Sequence, residues 1–256
     1  MKSLIKNIVQ SSVVINLRNN FNLRPVSLDI NHLKLASVSD AFVWRTDNGF
    51  VTKFKYSDIL NIFYKIPDSS VELHFYTKEN KLIKKIKYTE LSFSNEIEIN
   101  SELLDGIEDY GTFYIFHFSN RKIDKENIIS NRCYLGYSKN KNLPSFVHGN
   151  VHAKYAMING SQKIDTDIVK TSLFKNQKYR IQKYFTNFDK SELLFVNPTS
   201  KLIKFSVNHS EHFLKAGSSI LIDISCEKSI NIKSNCLFFR PTIFNYKGEY
   251  LDVHHS

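Results

Sequence analysis

The stretch ELHFYTKENKLIK, Glu72–Lys84, carries most of the information about the fold, because an apolar run, a polar turn and a second apolar run follow one another. The turn centre at 78–80 combines Lys, Glu and Asn, and Asn favours turns because it tolerates left-handed backbone conformations. The pattern therefore predicts a β-hairpin.

A second stretch, ELLFVNPTSKLIK at Glu192–Lys204, matches the first at seven of thirteen positions, with a constant offset of 120 residues (192 minus 72). Alternating strands follow the two stretches at 95–100 and 218–223, and aromatic strands follow at 111–119 and 236–246. Because three elements recur in the same order, the sequence predicts a tandem repeat of one β unit.

The fold class follows from this repeat and from the content of 20 Phe and 13 Tyr, residues that favour strands. We predict an all-β protein with two tandem immunoglobulin-like β-sandwich units, residues 1–119 and 128–256, joined by a charged linker. The second unit repeats the first and carries a polar insertion at 159–177.

Two local patterns predict further features, a short helix and an arginine bonded to a nearby residue. Apolar residues in the segment 56–66 have helical spacing, with Ser57 or Asp58 as the N-cap, although a strand fits nearly as well. Arg45 is expected to bond Asp47 or a turn carbonyl, because an arginine among apolar neighbours needs a partner.

The net charge of +10 raises the question of nucleic-acid binding. The excess is mostly lysine and is spread along the chain, and the local cluster KLIKKIKY at 81–88 alternates like a strand with a solvated face. The sequence has no RNP aromatic motif, zinc-finger spacing or recognition-helix pattern. We therefore expect no nucleic-acid partner.

The cysteines and the N-terminus indicate the compartment. Cys133, Cys226 and Cys236 have no CxxC spacing, and their odd number suits a reducing environment, although a Cys226–Cys236 disulfide across a hairpin stays open. The N-terminus lacks the apolar core and cleavage site of a signal peptide, and no stretch reaches the ~20 apolar residues of a spanning helix. We expect a cytoplasmic protein without a transmembrane segment.

The stretch SFVHGNVHAKY, Ser145–Tyr155, carries two histidines four positions apart, His148 and His152. Its β-branched residues and its Gly-Asn pair favour a strand over a helix. At about 3.3 Å per residue the two histidines would lie ~13 Å apart, too far to bind one ion unless a bulge intervenes. With Asn150 they form a polar stripe on one strand face.

Our main functional hypothesis is a binding protein for a small molecule, a glycan or a sugar-derived ligand, without a cofactor. Polar residues inside apolar strands are kept either for pairing or for function, and His, Asn and Arg bond hydroxyls while Tyr stacks on sugars. The groove would lie in the second unit or at the junction of the two units. The candidate lining residues are His117, Arg132, His148, Asn150, His152, Tyr155 and Arg240.

Two alternatives remain open. The first is a metal-dependent hydrolase or transferase centred on His148 or His152 together with His117 or His254, around a divalent ion such as zinc that activates water. Its candidate metal ligands are His148, His152, Asp252 and His254, with His148 and His152 on different ions. No nucleophile elbow, P-loop, dinucleotide fingerprint or HExxH motif is present. The second alternative is a structural or assembly protein.

Overall fold

The computed structural model describes residues 5, 8–9, 11, 13–14, 17, 35–120, 127–131, 133–150, 152–157, 166–169, 171–172, 176–181, 185–236 and 239–255. The described part is nearly all β, with helix α1 at Ile59–Tyr64 and short 3-10 turns at Asp47–Gly49 and Phe185–Asn187. Its strands are β1 Leu35–Asp40, β2 Phe42–Arg45, β3 Phe50–Ser57, β4 Ser69–Thr77, β5 Leu82–Tyr88, β6 Ser94–Ile99, β7 Tyr110–Ser119, β8 Asn127–Asn131, β9 Tyr134–Lys139, β10 Ser145–His148, β11 His152–Met157, β12 Thr166–Asp167, β13 Gln177–Ile181, β14 Lys190–Val196, β15 Ile203–Val207, β16 Ser210–Leu214, β17 Ser219–Asp223, β18 Ile230–Ser234, β19 Thr242–Lys247 and β20 Tyr250–His255.

These strands form small four-stranded sheets, which we number I to V. Their strand orders are β12-β11-β1-β8 in sheet I, β2-β7-β4-β5 in sheet II, β10-β9-β3-β6 in sheet III, β17-β14-β19-β20 in sheet IV and β13-β18-β15-β16 in sheet V. The pairing is antiparallel except between β1 and β8. The arrangement resembles a four-bladed propeller. The all-β prediction is confirmed, and the prediction of two tandem immunoglobulin-like sandwiches is wrong.

The two matched sequence stretches occupy different places in the fold. Glu72–Lys84 forms the predicted hairpin, because β4 pairs with β5 in sheet II. Glu192–Lys204 instead connects β14 of sheet IV to β15 of sheet V, and these two strands do not pair. The buried Asn197 holds this crossing, since its amide donates to the Lys201 and Leu214 carbonyls at 2.7 and 2.9 Å. An apolar-turn-apolar pattern does not specify which strand each run pairs with, so the two stretches are not structurally equivalent.

Strand pairing also crosses the predicted boundary between the units. In sheet III, β10 pairs with β9, both from the second range, and β9 pairs with β3 from the first. In sheet I, β1 lies between β11 and β8. The limits 1–119 and 128–256 stay a prediction as domain boundaries, although two sheets draw strands from both ranges.

The sheets pack face to face through two main cores. One core joins sheets II, III and IV, and Phe54, Phe113 and Phe244 are buried in it. The other fills the space between sheets IV and V, with Phe195 and Ile232 among its members. Sheet IV therefore buries both faces, and each face carries alternate residues of β14 and β19, as strand geometry requires.

The local predictions around helix α1 and the cysteines are now resolved. The helix is formed, and its N-cap is Asp58, whose carboxylate accepts from the Asn61 amide at 3.1 Å and from the Ser69 hydroxyl at 2.7 Å. Cys226 and Cys236 are free thiols. In the described part of the chain, no helix has the length and apolar character needed to cross a membrane.

Arg45 forms the centre of a buried ion network between sheets II and IV. Its side chain is 1% exposed and bonds both oxygens of Asp47 at 2.9 and 2.7 Å, as the sequence predicted. It also bonds Glu192 of β14 at 2.8 Å, and Glu192 accepts from Tyr246 at 2.6 Å and from Lys190 at 2.6 Å. Perturbed ionisable clusters can mark functional sites, but this one is buried and saturated with partners, so its role is structural.

We expect the folded state to lose stability in acid because of Glu192. Burial alone would raise the pKa of this carboxyl, but the charge of Arg45 and hydrogen bonds from Lys190 and Tyr246 lower it from 4.5 to about 2. A depressed folded-state pKa stabilises the protein above pH ~4.5, and that contribution, about 3 kcal/mol, disappears as the pH falls towards ~2. Urea unfolding between pH 6 and pH 2 measures the loss. In Glu192→Gln this part of the pH dependence should be absent, and an unchanged slope would contradict the assignment.

Candidate functional site

The SFVHGNVHAKY stretch is extended, as predicted, but it forms two strands instead of one. Strand β10 ends at His148, and β11 begins at His152, in a different sheet. Gly149 and Asn150 lie between them, so the chain leaves sheet III and enters sheet I at this point. The described part of the chain does not include Arg132, Val151 or the side chain of His152.

The exposed ring of His148 contacts His255, near the end of β20. Their ring centroids are 5.0 Å apart with an interplanar angle of 55°. His255 Nε2 donates to the carbonyl of His148, and Ser145 Oγ accepts from the amide of Val253 at 2.9 Å, which ties β20 to β10. We call His148, Asn150, His255 and Asp40 the histidine junction, because sheets I, III and IV meet there.

The hydrogen bonds of the junction fix the tautomer of each imidazole. His148 Nδ1 lies 2.6 Å from the carbonyl of Gly149, and His255 Nε2 faces the carbonyl of His148. A carbonyl oxygen only accepts, so each of these nitrogens carries a proton. The remaining ring nitrogen is Nε2 in His148 and Nδ1 in His255, and the latter is buried with no hydrogen-bond partner among the described residues.

The buried Asp40 supports the junction from sheet I. A Cβ on Gly149 would overlap the Asp40 carboxylate and the edge of the Phe42 ring, so position 149 requires glycine for close packing. Burial lowers the pKa of His255, and the charge of Asp40 partly opposes this lowering. His255 is therefore held neutral at physiological pH.

Asn150 connects the junction to the segment before β19. Its side-chain amide donates to the carbonyl of Arg240 at 3.1 Å, and the side chain of Arg240 is exposed. The side-chain amide of Asn150 and the ring of His148 are thereby close together in the chain where sheet III meets sheet I. Two of the predicted lining residues, Asn150 and Arg240, thus contact each other, and His148 lies two residues before Asn150 in the chain.

Two other predicted lining residues, His117 and Tyr155, lie in sheets II and I. His117 is fully buried in β7, its amide donates to Ser37 Oγ at 2.8 Å, and burial lowers its pKa to about 3. Tyr155 is half-buried in β11, opposite Val38 and Thr166. His117 is thus a neutral interior residue, and its place in a ligand groove stays a prediction.

Two members of the predicted metal set, Asp252 and His254, share one face of β20, and a third, His148, contacts His255 of the same strand. Asp252 accepts from Asn245 at 3.1 Å and lies 3.1 Å from His254 Nδ1. Alternate residues of a strand point to opposite faces, so His255, which meets His148, points away from His254. Among the described residues, no three His, Cys, Asp or Glu side chains are grouped as a metal site requires.

Sequence reasoning missed two members of the junction. Asp40 gives a weak signal of function in the sequence, because it is a carboxylate between the apolar runs of β1 and β2. Burying a carboxylate there costs free energy unless it has a partner. His255 carries no signal of its own in the sequence, and only its contact with a distant strand distinguishes it from His254. No model of a known protein family matches this chain, and no curated protein matches it either.

Proposed function

We propose that this protein binds a hydroxyl-rich ligand, a glycan or a sugar-derived molecule, at the histidine junction. The observation that carries the proposal is the exposed ring of His148, whose Nδ1 is engaged by the Gly149 carbonyl. Its Nε2 is thereby left for a ligand at the surface, and the side-chain amide of Asn150 lies two residues further along the chain. A hydroxyl group, which both donates and accepts, suits such groups.

The surroundings of His148 support the same ligand class. The side-chain amide of Asn150 donates one N–H to the backbone carbonyl of Arg240, which leaves its second N–H and its carbonyl oxygen for a ligand. Polar ligands are oriented by a few convergent groups of this kind. The backbone at positions 148 and 149 is held in place, because His255 Nε2 donates to the carbonyl of His148 and Asp40 packs closely against Gly149.

A metal-dependent hydrolase is the less supported alternative at this place. Two imidazoles are adjacent, but the described residues provide no third ligand at metal-binding geometry. Catalytic zinc sites use three protein ligands and one open position. We therefore propose binding rather than metal-assisted hydrolysis.

We expect His148→Phe to weaken ligand binding about tenfold, which corresponds to the loss of one or two hydrogen bonds. The melting temperature should hardly change, because an exposed substitution usually alters stability by less than about 0.5 kcal/mol. An array of neutral oligosaccharides, followed by calorimetric titration of the best binder, measures the affinity. The matched control is His209→Phe, which changes an exposed histidine in the turn after β15.

Three outcomes of that experiment count against the proposal. Binding by no oligosaccharide of the array removes it. Equal losses in the two variants show that the ligand does not contact His148. A large drop in melting temperature for His148→Phe alone shows that the imidazole serves packing.

A further inference from the structure

The exposed face of sheet V carries an unusual concentration of positive charge. Alternate residues of its strands are buried, as in IKFSV of β15 and INIKS of β18, where the isoleucines face the core. The opposite face holds the cationic residues of the sheet and of the loop before β15. This surface, which we call the basic face, is defined by Lys178, Arg180, Lys201, Lys204 and Lys233.

The cations of the basic face are not neutralised within the described part of the chain. None of the five forms an ion pair with a described carboxylate, and Glu211 is the single acidic residue lining the grooves there. The exposed face of sheet III differs, because Lys53 and Lys55 both pair with Glu96, at 3.7 and 3.0 Å. The lysines of that face are thus balanced by a glutamate, whereas the cations of the basic face are not.

Strand register places two of these lysines directly opposite each other. Lys178 of β13 is the cross-strand partner of Lys233 of β18. Like charges in such positions, with Cβ atoms about 5 Å apart, destabilise a sheet. Unfavourable local arrangements such as this pair of lysines occur most often at functional sites. An anion bound between the two lysines would remove their repulsion.

The basic face is recessed. One groove of about 520 Å³ passes between Lys201, Lys204 and the exposed Phe213, and a second of about 560 Å³ passes Lys178 and Arg180. Ser206 and Lys233 line both grooves, so the grooves adjoin on the sheet, and we call the two together the channel. Amide side chains line the channel between the cations: Asn176, Asn208, Asn231 and Asn235.

We propose that the basic face binds an acidic polysaccharide, with sulfate or carboxylate groups on the cations and sugar hydroxyls on the intervening amides. This site is separate from the histidine junction and does not depend on the function proposed there. A single-stranded nucleic acid fits less well, because such ligands stack on successive aromatic rings. Phe213 is the exposed aromatic ring of the channel, and Lys204 Nζ lies over it at 6.0 Å.

The test uses heparin and polygalacturonate as probes, with dextran as the neutral polysaccharide and with oligo-dT and anionic phosphatidylserine vesicles as competing anions. We expect heparin or polygalacturonate to bind, with an affinity that falls as salt rises, because counterions are released. The variant Lys178→Gln, Lys204→Gln, Lys233→Gln should lose about tenfold or more in affinity at physiological ionic strength. The matched control, Lys81→Gln, Lys85→Gln, Lys87→Gln, removes the same charge from exposed positions around β5.

The outcomes separate this proposal from its competitors. Equal losses in both triple variants show a net-charge effect and overturn the site, as does tighter binding of oligo-dT or of vesicles than of either polysaccharide. Lack of binding to heparin and to polygalacturonate overturns it as well. If the triple variant does not fold, protection of Lys178, Lys204 and Lys233 from acylation by bound heparin decides the matter in the unmodified protein. His148→Phe should bind heparin normally, so the two proposals fail independently.

Discussion

Replacing Arg45 with methionine is expected to lower the free energy of unfolding by about 3–5 kcal/mol, because it breaks a buried ion network on one side. Methionine keeps part of the packing on Phe50 and Phe244, whose rings lie 4.0 and 4.7 Å from the guanidinium carbon. It removes the charge that compensates Glu192, whose side chain is 7% exposed. Urea unfolding followed by fluorescence of Trp44 measures the change.

The matched control for Arg45→Met is Lys53→Met. Lys53 pairs with Glu96 at 3.7 Å, but its side chain is 33% exposed, so water screens the pair and its loss should cost less than about 1 kcal/mol. Combining Arg45→Met with Glu192→Gln should cost less than the sum of the two single changes, since both act on one network. An Arg45→Met protein within about 1 kcal/mol of the parent would show that the network contributes little to stability.

Phe113→Ala is the second change for which we expect a large effect, again about 3–5 kcal/mol. Phe113 is fully buried in β7, and its ring lies 5.3 Å from Phe42, 4.8 Å from Phe54 and 5.2 Å from Phe75. The cluster joins sheets II and III. Truncating the Phe113 side chain therefore leaves a cavity between two sheets, which cannot move together enough to fill it.

The control for this cavity is Phe213→Ala on the outer side of sheet V. Phe213 is 59% exposed, so its truncation should change stability by less than about 0.5 kcal/mol. Equilibrium unfolding in guanidinium chloride measures both variants under the same conditions. Similar losses in the two proteins would mean that burial of Phe113 does not control stability.

Local features of this protein could be predicted from its sequence because they depend on neighbouring residues. The turn chemistry around Asn80 produced the hairpin of β4 and β5, and Asp58 at the start of an apolar helical pattern produced the cap of α1. The pairing of Arg45 with Asp47, two positions away, is local in the same sense. The extended conformation at His148 followed from β-branched and glycine-containing sequence around it.

The order of the sheets was decided by tertiary structure alone. The two matched stretches have the same pattern of apolar and polar residues. In Glu72–Lys84 the two strands pair with each other, whereas in Glu192–Lys204 they belong to different sheets. Alternation of apolar residues specifies which face of a strand is buried, but it does not specify which strand lies beside it. The prediction of two tandem sandwiches failed for this reason.

The sequence by itself determined the all-β composition, the local turns and caps, and the extended histidine stretch with Asn150 in it. Only the tertiary structure brought His148 to His255 across 107 positions of the chain, placed Asp40 against Gly149, and buried His117. It also gathered Lys178, Lys204 and Lys233, which are dispersed along the chain, on one face of sheet V. The physical reason is that contacts between distant segments depend on how complete sheets pack, and sheet packing is a property of the whole core rather than of any short stretch.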